Sequence, residues 1–222
     1  MASDTRGRIL DALRTATRRP PAPRPVLPEP PELTLDRPQM IARFEGELSA
    51  QTGVVLRAAD EGEVLRHLTA TAHAENLATV MASTDSALAP LDLKAWGQAN
   101  AVRVHTAADF ADRETFRAAC FGAQAGITGA DFAIAETGTL GIIFHTDQPR
   151  LISIAPPVHI AVVPIERLVA TYEQAIDQVF RDKSSPPSQF CFITGPSASA
   201  DIQATAFKGM HGPRKLIVIL VG

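Results

Sequence analysis

Five polar or glycine-rich segments of the sequence carry the residue types that bind small molecules or move protons. Four of them are interpreted as following an apolar, strand-like run, and the fifth precedes the last such run. In open α/β sheets, ligands bind at the carboxyl ends of strands, where loops and helix N-termini present backbone amides. We therefore expect the five segments to form one site. They cover residues 128–131, 136–139, 156–159, 194–201 and 209–214.

Glu136 is the first candidate, because it closes the apolar run 132–135. A carboxylate at the end of a buried strand is costly unless it is paired or used. Gly138, two residues on, allows a backbone or a ligand to approach closely. Two interpretations stay open: a functional carboxylate, or a structural one that accepts turn amides or pairs with Arg150.

The segment after Thr194 is a candidate anion site. Ser197, Ser199 and nearby amides could hold an anion at the start of a predicted short helix containing Asp201 and Ile202. The alternative is a helix cap formed by either serine. The segment has neither the Gly-Lys-Ser/Thr of a phosphate-binding loop nor the GxGxxG pattern of a dinucleotide site.

Two of the six histidines, His159 and His211, fall in the candidate segments, and His145 directly follows the strand predicted at 140–144. Their spacings match no metal signature, so we predict no metal site. His159 and His211 are each interpreted either as an acid/base or as a turn residue bonded to backbone. No Gly-x-Ser-x-Gly elbow is present, and neither cysteine has a recognisable nucleophile context.

Short apolar stretches that alternate with amphipathic ones predict an α/β fold, with a mostly parallel central sheet and helices on both faces. Connections between residues 132 and 163 are too short for helical crossovers, which predicts locally antiparallel strands there. Residues 84–100 are interpreted as a mixed connection. Strands are predicted at 54–58, 77–81, 102–105, 132–136, 140–144, 151–154, 160–163, 190–194 and 216–221, and helices at 61–75, 109–124 and 165–180, with a further helix beginning at Pro38.

The N-terminal part is expected to be separate. Residues 3–18 predict a helix, and eight of the 17 prolines fall between positions 20 and 38, which is typical of an extended linker. We therefore divide the chain into residues 1–37, a helix and proline-rich linker, and residues 38–222, a single α/β domain. The linker is either a tether or an arm that docks on a partner or on a second copy of the chain in a homo-oligomer.

Composition excludes several classes of protein. The 222 residues carry 21 basic and 24 acidic side chains, a net charge of −3, so no basic excess is available for nucleic acid. No apolar run is long enough for a membrane span. The two cysteines, Cys120 and Cys191, are too few to hold an iron–sulfur cluster alone. Reduced, buried thiols and no secretory signal predict a cytoplasmic protein.

Three stretches together resemble the lactate utilization protein C (LUD) family. They are ITGADFAIAETGTL at 127–140, PPVHIAVV at 156–163, and ITGPSASADI at 193–202 continuing to GMHGP at 209–213. The resemblance implies a fold like that of the NagB/RpiA/CoA transferase superfamily. It also implies a role in bacterial oxidation of L-lactate to pyruvate together with iron–sulfur partner proteins, which would carry the clusters, so that this chain binds no cofactor.

Carried onto this sequence, the resemblance implies a site lined by Glu136, Thr137, Gly138, His159, Gly195, Ser197, Asp201 and His211. In this hypothesis, Glu136 and His159 orient or deprotonate a small hydroxy acid. Loop amides near Ser197, or Arg214, hold its carboxylate. The chain would then be an accessory or substrate-handling subunit.

Two alternatives stay open. The string from Glu136 to Gly141 is similar to the stretch that carries the nucleophilic glutamate of type I CoA transferases. A free-standing transferase, isomerase or cyclo-ligase would therefore use Glu136. The third hypothesis is a module that only docks partners, since one fold hosts many chemistries.

Overall fold

A computed structural model describes residues 5–16, 33–182, 184, 186–200 and 206–222. The chain divides into two units, Met1–Glu32 and Leu33–Gly222. In the first unit the predicted helix is present as α1, Thr5–Thr15. Most of the proline-rich stretch lies outside the described residues.

The second unit alternates strands and helices. Its helices are α2 (Arg37–Ala50), α3 (Glu61–Ala74), α4 (Leu93–Ala99), α5 (Arg113–Gly122), α6 (Arg150–Ile154) and α7 (Tyr172–Val179). Its strands are β1 (Val54–Ala58), β2 (Thr79–Ala82), β3 (Arg103–His105), β4 (Ala125–Thr128), β5 (Phe132–Ile134), β6 (Thr139–Ile143), β7 (Val158–Pro164), β8 (Leu168–Val169), β9 (Phe190–Ile193), β10 (Ala198–Ala200), β11 (Ala206–Lys208) and β12 (Lys215–Val221).

The main sheet has six strands in the order β1-β12-β7-β4-β2-β3, and every pair is parallel. Its interior strands β7 and β12 are almost entirely apolar and buried, as strands covered on both faces must be. Helices α3 and α4 cover one face, and α2, α5 and α6 cover the other. The predicted fold class is confirmed.

A second sheet, in the order β8-β5-β6-β9, packs with α2 on that other face. Strands β5 and β6 are antiparallel, as are β6 and β9, which confirms the local antiparallel pairing expected from the short connections. Leu140 and Ile142 of this sheet share an apolar layer with Ala161 and Leu216 of the main sheet. The space between the two sheets is therefore filled, except near the amino ends of β7 and β12.

Two predicted elements are wrong. Residues 151–154 form helix α6 rather than a strand, since a four-residue apolar run has no period that separates the two. Residues 165–180 are not one helix: a 3₁₀ turn and strand β8 come first, and α7 begins only after Thr171, whose side chain caps it. Pairing of β8 with β5 buries Leu168 and Val169 and overrides the helical pattern.

Four further elements were missed. The connection at 84–100 contains α4, which begins at the capping residue Asp92. Strand β4 was missed because Gly126 weakens its strand pattern. A side chain at that position would collide with the carbonyl of Ile152 in α6, so the glycine lets the helix lie directly on the sheet. Strands β10 and β11 form a hairpin that follows Ser197.

Candidate functional site

A small cavity of about 200 Å³ opens beside the amino ends of β7 and β12. It lies between helix α6, the end of β9 and the loop that leads into β12. Apolar side chains form part of its wall, and histidine, serine and threonine side chains form the rest. The lining residues are Ser153, Ile154, His159, Phe192, Ile193, Thr194, Gly195, Ser197, His211, Gly212, Pro213 and Leu216.

Like Ser153, His159 is a buried polar residue of this cavity, with no exposed surface. It is the second residue of β7 and stands opposite Leu216 on one side and Gly126 on the other. Its Nε2 is 2.8 Å from the Thr128 hydroxyl oxygen, whereas its Nδ1 has no hydrogen-bond partner among the described residues. Burial lowers the pKa of His159 to about 4, so the ring is neutral at neutral pH.

Ser197 joins the two loops that form the opposite wall. Its amide donates to the Pro213 carbonyl across 2.8 Å, and its carbonyl accepts from the Gly209 amide at 2.9 Å. Its hydroxyl oxygen accepts from the His211 amide at 3.4 Å. Gly209 adopts a φ of +79°, which favours glycine and lets the loop turn back onto Ser197.

The predicted helix after Ser197 is wrong in the described part of the segment, because Ala198–Ala200 form strand β10. Within the described residues, Ser197 and Ser199 therefore do not cap a helix. Instead of forming a helix, residues 198–200 pair through their backbones with residues 206–208. Asp201 lies outside the described residues.

Thr194 and Gly195 form the edge of the cavity next to β6. The hydroxyl oxygens of Thr194 and Thr139 are 3.0 Å apart, and Thr137 donates its hydroxyl to Thr139 at 2.8 Å. A Cβ at Gly195 would lie 3.1 Å from the Gln51 side chain and backbone, so the glycine allows close packing just beyond α2.

Glu136 does not line the cavity. It is half-buried in the turn after β5, and its Oε2 accepts from the amide of Tyr172, the first residue of α7, at 3.4 Å. This geometry matches the structural alternative, in which the carboxylate accepts backbone amides rather than pairing with Arg150. Gly138, with φ +61°, packs that turn on the backbone of α2 at Leu48.

The structure thus brings together four of the predicted site residues, His159, Gly195, Ser197 and His211. It leaves Glu136, Thr137, Gly138 and Arg214 outside the cavity lining; Arg214 is exposed, and its amide donates to the Pro157 carbonyl.

The sequence reasoning missed Thr128, Ser153, Phe192 and Thr194 as members of the site. Thr128 and Thr194 stood in candidate segments without being singled out. Ser153 was missed because its segment was predicted as a strand. Phe192 gave no signal beyond its place in an apolar strand.

This cavity lies at the amino ends of two strands, whereas the candidate segments were expected at carboxyl ends. The segment 156–159 leads into β7 instead of ending a strand, so His159 is at an amino end. Hollows of about 530 and 320 Å³ do lie at the carboxyl edge. Among the charged groups there, Arg167 pairs with Asp85 at 3.1 Å and Lys94 with Asp109 at 3.0 Å.

Two further observations concern the described part of the chain. No cluster of three or more His, Cys, Asp or Glu side chains suited to a metal ion occurs there. No helix there has both the length and the apolar character needed to cross a bilayer.

Comparison with known proteins gives consistent matches. The model of the LUD domain family matches residues 41–221. Lactate utilization protein C of Oceanobacillus iheyensis is 40% identical over 102 residues, 45% of this chain and 44% of that protein. The protein of the same name from Bacillus subtilis is 39% identical over 102 residues, 45% of this chain and 42% of that protein. The matched region therefore spans less than half the length of these relatives.

A solved structure shows the same fold. The crystal structure of a DUF162 family protein from Deinococcus radiodurans aligns with a TM-score of 0.59 and 23% identity, covering 85% of this chain and 100% of that one. Fold and cavity together define an α/β protein with a small cavity, lined by polar and apolar side chains, on one face of a parallel sheet. The chain belongs to the LUD domain family, as the three sequence stretches indicated.

Proposed function

We propose that this protein acts in bacterial L-lactate utilization, the oxidation of L-lactate to pyruvate, as an accessory or substrate-handling subunit. The names of its relatives support this pathway. The cavity around His159 and Ser197 is the site that we assign to the small carboxylate.

The observation that carries the proposal is the convergence of three separate stretches on one cavity. His159 comes from β7, Gly195 and Ser197 from the segment after β9, and His211 from the loop before β12. At about 200 Å³ the cavity is smaller than pockets for drug-sized ligands, which hold roughly 300–1,000 Å³. It therefore suits a molecule of very few heavy atoms.

The wall of the cavity has the polarity that a 2-hydroxy acid requires. Hydroxyl and imidazole groups of Ser153, His159 and Ser197 can pair with a carboxylate and a hydroxyl. Phe192 and Leu216 offer an apolar surface for a methyl group.

Electron transfer is assigned to partner proteins. Oxidation of lactate to pyruvate removes two protons and two electrons, so an electron acceptor is required. The two cysteines of this chain are fewer than the four ligands that a cluster normally needs. We propose that iron–sulfur partners take the electrons while this chain positions the substrate.

Growth on L-lactate tests the proposal. A strain that lacks this protein should fail to grow on L-lactate but grow normally on pyruvate, and the wild-type gene should restore growth. His159→Gln should not restore it, whereas the matched control His73→Gln, on an exposed face of α3, should. Growth on L-lactate that is unchanged by the deletion would disprove the role.

A further inference from the structure

The buried pair Thr128–His159 joins strand β4 to a residue that lines the cavity. The two side chains lie on the same face of neighbouring strands, β4 and β7, and both are at most 1% exposed. The Thr128 hydroxyl oxygen and His159 Nε2 are 2.8 Å apart. In this buried setting each polar group needs a partner.

Counting donors and acceptors separates the two neutral tautomers. Among the described residues, the Thr128 hydroxyl has one hydrogen-bond partner, His159 Nε2. If Nε2 carried the proton and donated to Thr128, the threonine O–H and the Nδ1 lone pair would both lack partners. If Thr128 donates to Nε2 instead, Nδ1–H alone is left without one.

We propose that the Thr128 hydroxyl donates to His159 Nε2 and so holds the imidazole as the Nδ1–H tautomer, which presents a neutral N–H donor to the cavity. Thr128 is then a positioning residue that acts through His159. The ligand atom at His159 is an acceptor oxygen of a carboxylate or carbonyl group. His159 binds this oxygen and does not remove a proton.

This inference deepens the proposed function, and its identification of the ligand rests on that function. The assignment of the tautomer does not depend on the proposed function. It also revises one sequence-based hypothesis. A general base at this position would need an unprotonated nitrogen facing the substrate hydroxyl. The count of donors and acceptors assigns the proton to Nδ1, so this nitrogen cannot act as the base.

Nitrogen-15 chemical shifts of the imidazole test the tautomer in the full-length, ligand-free protein, since protonated and unprotonated ring nitrogens resonate far apart. We expect a protonated Nδ1 and an unprotonated Nε2 for His159 near neutral pH. Thr128→Ser, which keeps the hydroxyl, should give the same pattern, and isosteric Thr128→Val should lose it. A protonated Nε2 in the wild-type protein would overturn the inference whatever the protein binds.

Binding of L-lactate supplies the second measurement. We expect Thr128→Val to weaken L-lactate binding about tenfold, the value of one hydrogen bond to a charged group, and Thr128→Ser to leave it unchanged. Equal binding by Thr128→Val and wild type would overturn the positioning role. If the protein shows the expected tautomer but binds no L-lactate, the roles assigned to Thr128 and His159 stand, and the proposed substrate is wrong.

Discussion

The hydroxyl oxygens of Thr139 and Thr194 lie 3.0 Å apart, and this hydrogen bond joins the turn after Glu136 to the edge of the cavity. Antiparallel pairing of β6 with β9 places Leu140 opposite Ile193, so the two threonines occupy the same end of neighbouring strands. The turn that carries Glu136 therefore supports the cavity without lining it.

Thr139→Val should destabilise the protein. Thr139 is buried and bonds to both Thr137 and Thr194, so the isosteric change leaves two hydroxyl groups with a lost partner. We expect a loss of about 1–2 kcal/mol in the free energy of unfolding, measured with urea. Thr137→Val is the matched control, because Thr137 is exposed and should cost less than half as much. Equal losses would contradict the bridging role of Thr139.

The buried neutral His159 predicts a pH-dependent stability. Its pKa falls from 6.5 to about 4 on folding, so between these values the unfolded chain binds more protons than the folded one. Stability is therefore greatest above pH 6.5, and it declines as the pH falls toward 4, by about 3 kcal/mol in full. Urea unfolding at several pH values should show this slope in the wild type and in His73→Gln. If the dependence of the unfolding free energy on pH is unchanged in His159→Gln, that dependence does not come from His159.

Gly138→Ala should be strongly destabilising. The residue has φ +61°, and a Cβ there would collide with the backbone of Leu48. We expect a loss of at least about 2 kcal/mol in unfolding free energy. Gly46→Ala, at an exposed position of α2 with nothing near its Cβ, should instead stabilise by about 0.5–1 kcal/mol. A neutral Gly138→Ala would show that the turn does not pack on α2 as described.

Glu136→Gln separates the two roles considered for this residue. The amide oxygen of glutamine can still accept from the Tyr172 amide, so we expect wild-type stability and normal growth on L-lactate. Mass spectrometry after incubation with acyl-CoA should show no adduct on the wild-type protein. A covalent acyl-CoA adduct that Glu136→Gln abolishes would instead support the transferase alternative.

The sequence predicted the layered α/β fold because its strands are short and apolar and its helices amphipathic, patterns that burial on both sheet faces requires. It failed where tertiary pairing decides local structure. The sequence pattern around Leu168 and Val169 predicts a helix, but pairing with β5 makes these two residues a strand. Residues 151–154 are too few for any period to show.

Residue type alone identified part of the cavity lining in the sequence. Histidine and serine beside glycine and proline mark His159, Ser197 and His211 by residue type alone. The segment 156–159 was expected to end a strand because residues 151–154 were predicted as one, so Glu136 and His159 were assigned to the same site. Thr128 was not singled out because its importance comes from one contact across two strands.

Binding of L-lactate at the cavity is the most direct test of the account. In an NMR titration of the full-length protein, L-lactate should saturate one site, with nuclear Overhauser contacts from its methyl group to Phe192 and Leu216. Ser153→Phe, which fills the cavity, should abolish those contacts. Absence of saturable binding, or contacts confined to the carboxyl-edge hollows near Asp85 and Arg167, would contradict the proposed site.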